Sequence, residues 1–256
     1  QRQAAQILQV ARRTVEHRVL WLARLATHFH ANRLANASLA GPFQLDELES
    51  FVANRYQPVT VPVLIDRRTL FLVATSVGAL RRKGRMTPRQ RRLRAEHERR
   101  HGRRPSQSPA AIAAVLERLR LPTGHSPRVV LDSDRKPLYA QLGRRLFGAR
   151  FLWRPRDAAA RRDHRNPLFP INHTNARLRH FLSRLRRRSW CVSKRPEGLL
   201  GHLAVAALWV NYARGITNRT RVTPAQALGL APRPYRHEEL LAWRQDWGPL
   251  SPPIVT

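Results

Sequence analysis

The chain has 256 residues, 42% of them hydrophobic, with six Trp and eight Phe; that is enough apolar material for one large domain with a smaller appendage, and it excludes a disordered protein. Its 48 Lys and Arg against 16 Asp and Glu leave a formal charge of +32, a field that requires a polyanionic partner, and nucleic acid is the expected one. One cysteine, Cys191, excludes a disulfide framework or a zinc ribbon in this chain, and no run of about 18 apolar residues is present to cross a membrane.

Residues 3–35 carry apolar side chains at helical spacing, among them Ala5, Leu8, Val15, Val19, Leu22 and Leu25, with a break near 9–11. This is the outline of a helix-turn-helix DNA-binding domain over 1–38. Its second helix begins near Arg12 and offers Arg12, Arg13, Thr14, His17 and Arg18 to DNA. A plain αα-hairpin is the alternative. The chain opens at Gln1 inside a helical pattern without Met, so upstream residues are expected to be missing. His28 and His30 have no further ligands nearby in sequence and are read as incidental.

A linker of small residues at 37–42 leads into three β-like runs, 43–52, 59–66 and 70–80, which predict an antiparallel meander. Residues 81–108 form a dense basic insert, read as solvated, mobile and phosphate-contacting. A helix over 109–119, a strand over 129–132, a helix over 138–147 and a strand over 151–153 follow. Long helices are predicted over 174–188 and 199–214, then a mixed tail. The domain reading is therefore 1–38, 39–216 with the insert at 81–108, and a tail at 217–256.

Asp46 lies in FQLDELESF, Asp134 ends the strand-like VVLDSD, and Asn172 opens the Arg-rich INHTNARLRHFLSRLRRRSW. Phosphodiester chemistry needs an activated attacking oxygen and a stabilised leaving oxygen, and two divalent ions about 3.5–4 Å apart supply both. Mg²⁺ prefers oxygen donors, so two Asp and one more oxygen suffice. Each residue has another reading. Asp46 could be a charge partner in a basic protein, and Asn172 a helix N-cap. Asp132 shares the strand face of Asp134, although the spacing to Pro137, Leu138 and Tyr139 favours Asp134. Asp66 reads as a turn acid. Arg177, Arg184, Arg187, Arg188 and Lys194, with no acids interleaved, read as contacts to the DNA backbone.

Across 43–215 the chain resembles the DDE transposases of bacterial insertion sequences. Asp46, Glu47 and Phe51 resemble their first motif, D-E-x-x-x-F/Y. Asp134, Pro137, Leu138 and Tyr139 resemble their second. Asn172, Asn175, Leu178, Arg179, Arg184, Leu185, Arg188, Ser189, Trp190, Ser193 and Lys194 resemble the third. The departure is Asn172, where most members have Glu; a neutral ligand holds Mg²⁺ more weakly. The resemblance implies an α/β fold, an RNase H-like mixed sheet flanked by helices, behind an N-terminal all-α helix-turn-helix. It also implies metal-dependent DNA strand cleavage and strand transfer at element ends, with two Mg²⁺ or Mn²⁺ ions. Asp46 would bridge the ions, Asp134 would hold the one nearer the nucleophile, and Asn172 would hold the other. Arg179, two helical turns beyond Asn172, would touch the scissile phosphate. The implied partners are DNA of the element ends and of the target, and a second copy of the chain to pair two ends, in the bacterial cytoplasm on the nucleoid. A non-catalytic DNA-binding protein derived from a transposase is the alternative, and an RNA-binding protein a third.

Overall fold

Two helices, α1 (Arg2–Ile7) and α2 (Arg12–Ala35), part at a turn in which Gln9 takes a left-handed φ of 51°. The computed structural model describes residues 1–157, 163–186 and 191–243. Their contacts divide the chain into one unit over 38–200 and a second made of 1–37 with 201 onward. The sequence pattern instead carries the larger domain on to 216 and separates a tail.

The unit over 38–200 is α/β. Strand β1 (Phe43–Phe51) pairs antiparallel with β2 (Pro58–Asp66), whose near-continuous VTVPVLI run is buried on both faces, as a central strand requires. The predicted third run forms two strands, β3 (Leu72–Thr75) and β4 (Gly78–Ala79), which pair with opposite halves of β2. Pro62 lies in the gap between those pairings and has no N–H to donate, which accounts for the split.

The basic insert carries a helix, α3 (Pro88–His101), started by a Thr87–Gln90 capping box with Pro88 in the first turn. Arg81 grips Glu98 of α3 through two hydrogen bonds of 2.9 and 3.0 Å, so this part of the insert is built structure where the sequence predicts a mobile segment. The chain continues through α4 (Ser108–Glu117), β5 (Val129–Ser133), α5 (Pro137–Phe147) and β6 (Phe151–Pro155). β5 runs parallel to β1 and β6 parallel to β5, giving a mixed six-stranded sheet ordered β3-β2-β1-β5-β6 with β4 off β2. This order is compatible with the predicted RNase H-like fold. Gly143 is required for α5 to lie on β6, because a Cβ there would run into the Phe151 ring.

Helix α6 (Phe169–Phe181) starts five residues before the predicted 174. Asn166 sets it up, its side-chain oxygen accepting from Leu168 N–H and its carbonyl from Phe169 N–H. The helix stops at Phe181, not 188. A short 3-10 turn at Ser183–Leu185 follows, and its Arg184 carbonyl accepts from Ser50 of β1. Helix α7 (Pro196–Tyr212) leaves this unit for the other, where α8 (Pro224–Ala227) and α9 (His237–Ala242) complete the chain order. In that second unit Phe29 of α2 is buried beneath the Tyr212, Tyr235 and Trp243 rings, with centroids 4.9, 5.8 and 5.2 Å away. His30 meets the Tyr212 hydroxyl at 3.2 Å. No helix among the described residues is long and apolar enough to cross a membrane.

Candidate active site

Side chains alternate along a strand, so Gln44 and Asp46 share one face of β1, and Glu47 lies on the other. The parallel pairing of β1 with β5 sets Gln44 beside Asp132, and two residues further along each chain come Asp46 and Asp134. Asp46 accepts from Glu47 N–H at 2.8 Å and from Asn175 Nδ2 at 2.7 Å. Burial pushes the Asp46 carboxyl above the ordinary aspartate range. The negative charges of Asp134 and Glu47 push the same way, against the two hydrogen bonds. Asp134, just past β5, accepts from Lys136 N–H at 3.2 Å. Its carbonyl accepts from Ser133 Oγ at 3.0 Å, and that hydroxyl accepts from Trp153 Nε1 at 2.8 Å.

Gln44 brings the third group in. Its amide donates to Pro167 O at 2.6 Å and accepts from Ile171 N–H at 3.0 Å, clamping the start of α6 to β1. One helical turn beyond Ile171 is Asn175, buried, whose Nδ2 meets Asp46 and whose Oδ1 has no hydrogen-bond partner. A buried amide oxygen without a partner next to the Asp46 carboxylate, with Asp134 near enough to raise that carboxyl's pKa, offers oxygen donors of the kind a hard divalent cation takes. Among the described residues no three His, Cys, Asp or Glu converge in that way, so the set is two carboxylates and an amide. Asn172 lies three residues before Asn175, half-buried, with its N–H bonded to Leu168 O and Leu168 as the cap; it is inside the first turn and is not the N-cap. No hydrogen bond joins its side chain to either acid. The signal for Asn175 was the second Asn of the N-x-x-N pattern.

On the opposite face, Glu47 collects four donors. Thr60 Oγ1 lies at 2.7 Å, Ser108 Oγ at 2.8 Å and the Tyr139 hydroxyl at 3.1 Å, with Lys136 Nζ in close ion-pair contact. Burial pushes the Glu47 carboxyl up, but Lys136, Thr60 and Ser108 outweigh it and leave it below the ordinary glutamate range. Burial, together with Glu47, Asp134 and Asp46, raises the Tyr139 hydroxyl far above the tyrosine range, so it acts only as a donor here.

Of the arginines predicted to meet DNA, Arg179 is half-buried on α6, four residues beyond Asn175. The Arg177 guanidinium lies 5.9 Å from the Phe181 ring centroid. Arg184 turns inward, donating to Ser193 Oγ at 3.2 Å, and burial lowers its pKa. Lys194 is exposed; Arg187 and Arg188 lie outside the described residues. In the other unit, Arg12, Arg13, Thr14, His17 and Arg18 are all exposed on the first turns of α2, with Arg12 paired to Glu16 at 2.8 Å.

No protein-family model matches the chain, and no curated protein matches it. Among solved structures, the chain is similar to a chain in the cryo-EM structure of the simian T-cell lymphotropic virus intasome in complex with PP2A regulatory subunit B56 gamma. The identity is 15% and the TM-score 0.36; the likeness covers 78% of this chain and 59% of that one.

Proposed function

We propose that this chain is a DNA transposase of the insertion-sequence type, carrying out metal-dependent strand cleavage and strand transfer with an RNase H-like unit. The observation that carries the reading is Asp46, within β1, and Asp134, just past the end of the neighbouring β5, with the orphaned amide of Asn175 bonded to Asp46. Two Mg²⁺ or Mn²⁺ ions held by Asp46, Asp134 and an α6 asparagine would activate the attacking oxygen and neutralise charge on the leaving one. Asn175 is the asparagine the hydrogen bonding favours, with Asn172 the sequence-based candidate. The chain's own groups do the rest. Burial and the neighbouring charge of Asp134 raise the Asp46 carboxyl, so a cation there would relieve it. Gln44 fixes α6, and with it Asn175 and the half-buried Arg179, against the acid-bearing strand. Arg177 and Lys194 would hold DNA phosphates, and the exposed start of α2 would read the element ends. A second copy of the chain would pair two ends.

The test is a plasmid transposition assay with the reading frame and its flanking DNA. It compares wild type with Asp46→Ala, Asp134→Ala, Asn175→Ala and Asn172→Ala. The expected outcome is movement that either Asp change abolishes, with Asn175→Ala more damaging than Asn172→Ala. A site with only two carboxylates also fits a non-catalytic DNA-binding descendant. That reading takes over if nothing moves while DNA binding survives loss of both acids.

A further inference from the structure

Asp132 is fully buried, yet it gathers three arginines. Arg154 grips it with two prongs, Nε to Oδ1 at 2.9 Å and Nη2 to Oδ2 at 2.8 Å. Arg156 Nε adds a bond of 3.2 Å and Arg67 Nη1 one of 3.4 Å. The bidentate pair with Arg154 alone satisfies a buried carboxylate. Two further guanidinium groups drawn to the same charge repel each other and Arg154. All three are about one-third exposed, so they form the wall of something open to solvent. Two of them, Arg67 and Arg154, border a cavity of about 580 Å³, lined also by Arg68, Val130 and the 40–42 segment. Arg67, Arg68 and Arg154 line it and Arg156 shares Asp132, so four guanidinium groups gather near the two carboxylates Asp132 and Asp66, a surplus of two positive charges. The turn that presents Arg67 and Arg68 is fixed, since Asp66 accepts from the N–H groups of Arg68 and Thr69 at 3.0 and 2.9 Å, and Arg67 N–H donates to Pro42 O at 2.9 Å.

The position of the cavity names its ligand. Gln44, Asp132 and Arg154 form one row across β1, β5 and β6. The row of Asp46 and Asp134 comes two residues later on the same sheet face, about 7 Å along the strands from Arg154's row, while Val130 and Pro42 line the cavity's side further from the acids. We infer that the Arg67–Arg68–Arg154 cavity is a phosphate site for the DNA strand, taking a backbone phosphate near the one brought to Asp46 and Asp134. This inference rests on the DNA-processing reading above. A phosphate supplies the anion that three crowded guanidinium groups require, and oriented arginines take it through paired donors. None of these arginines belongs to the Arg-rich third motif.

The experiment measures binding of a labelled duplex oligonucleotide by fluorescence anisotropy in EDTA, so that no turnover is required. It compares wild type, Arg68→Gln, Arg67→Gln/Arg68→Gln and Arg144→Gln/Arg145→Gln. The last pair is exposed on α5, over the other sheet face, and removes the same charge. Arg154 is kept so that Asp132 retains its two-pronged partner, and Arg68, which makes no bond to Asp132, provides a variant whose fold is not at risk. Each phosphate contact contributes roughly 0.9 to the slope of log affinity against log salt. The expected result is a slope lower by about one for Arg68→Gln and up to about two for the double change. For the double change, the rise in Kd between about 50 and 200 mM salt then shrinks roughly tenfold. The α5 pair leaves the slope unchanged. An unchanged slope in the cavity variants, or an equal fall in the α5 pair, overturns the inference. In a parallel assay of the same oligonucleotide with Mg²⁺, cleavage by wild type with an unchanged slope removes the cavity site and leaves the catalytic reading. No cleavage with the slope effect intact does the reverse.

Discussion

Replacing Lys136 by methionine removes the ammonium that joins Glu47 and Ser108 and lies 5.5 Å from the Tyr139 ring centroid. Lys136 connects the two acid-bearing segments: its N–H holds Asp134, and its side chain holds Glu47, the neighbour of Asp46. A hydrogen bond to a charged group contributes about 1.5–3 kcal/mol net, and breaking a fully buried ion pair costs about 3–5 kcal/mol. The Glu47 side chain is 14% exposed and that of Lys136 is 35%, so solvent screens the ammonium side, and the donors from Thr60, Ser108 and Tyr139 remain. The cost is therefore at the lower end, about 1.5 kcal/mol, or roughly tenfold in the folding equilibrium. With a urea slope near 2 kcal/mol/M, the midpoint falls by roughly 0.7 M. The assay is urea unfolding followed by circular dichroism for wild type, Lys136→Met, Glu47→Gln and the double variant. A coupling of about 1 kcal/mol or more is expected, and one below about 0.3 kcal/mol would refute the reasoning. The pH dependence gives a second readout. Glu47 has a depressed folded pKa, so its stabilisation is present above the ordinary glutamate value and is lost as pH falls through the lower, folded one. Lys136→Met should lose less stability over that acidic window than wild type.

Asp46 has the opposite sign: its folded pKa is raised, so its contribution is unfavourable once pH has risen through that value and absent below the unfolded pKa. Asp46→Asn should accordingly raise the urea midpoint at pH 7 while abolishing strand cleavage, and an equal midpoint change at pH 7 and at pH 3 would sink this account. Asn175→Asp adds a third negative charge beside Asp46, so thermal melting should begin lower than wild type in EDTA and gain more on adding Mg²⁺; an identical metal response in both proteins would count against Asn175 as a ligand. Gln44→Leu leaves Pro167 O and Ile171 N–H without their partner, at about 1–3 kcal/mol each. Amide exchange in α6 should speed up, and unchanged protection there would show that Gln44 does not clamp the helix.

The strands at 43–52, 59–66 and 129–132 were legible because their apolar residues are dictated by burial on one or both sheet faces, while the Phe-Leu-Trp run at 151–153 was legible from its residue types although β6 has no buried residue. The break between β3 and β4 was not, because it depends on which residues oppose Pro62, and register is not written in either segment alone. Helix α3 has no buried residue and so no apolar stripe to read, although Thr87-Pro88-x-Gln90 was a readable start. In the candidate site, the acidic motifs pointed to Asp46 and Asp134 because their strand context is local. The asparagine is harder. Asn172 and Asn175 are three residues apart, and only the clamp from Gln44 at the far end of 127 positions of sequence sets which of them meets Asp46. Asp132 and Asp134 share a strand face, and arginines just past β2 and on β6 separate their roles.

The ladder between β1 and β5 joins only Phe43–Gln44 to Leu131–Asp132, although the same register continued would set Asp46 directly opposite Asp134. Strands that stay paired hold facing residues at a fixed spacing of about 4.8 Å. Strands that stop pairing fan apart and open a crevice beyond their carboxyl ends. The separation of the two acids thus depends on where the ladder stops, together with the Lys136 contacts to Asp134 and Glu47. Lengthening that ladder by one pair, for instance with a β-branched residue at 134's flank, would narrow the gap between the acids and leave both in place. In this chain the aperture of the site is tuned by a zip whose slider rests one tooth short of the chemistry.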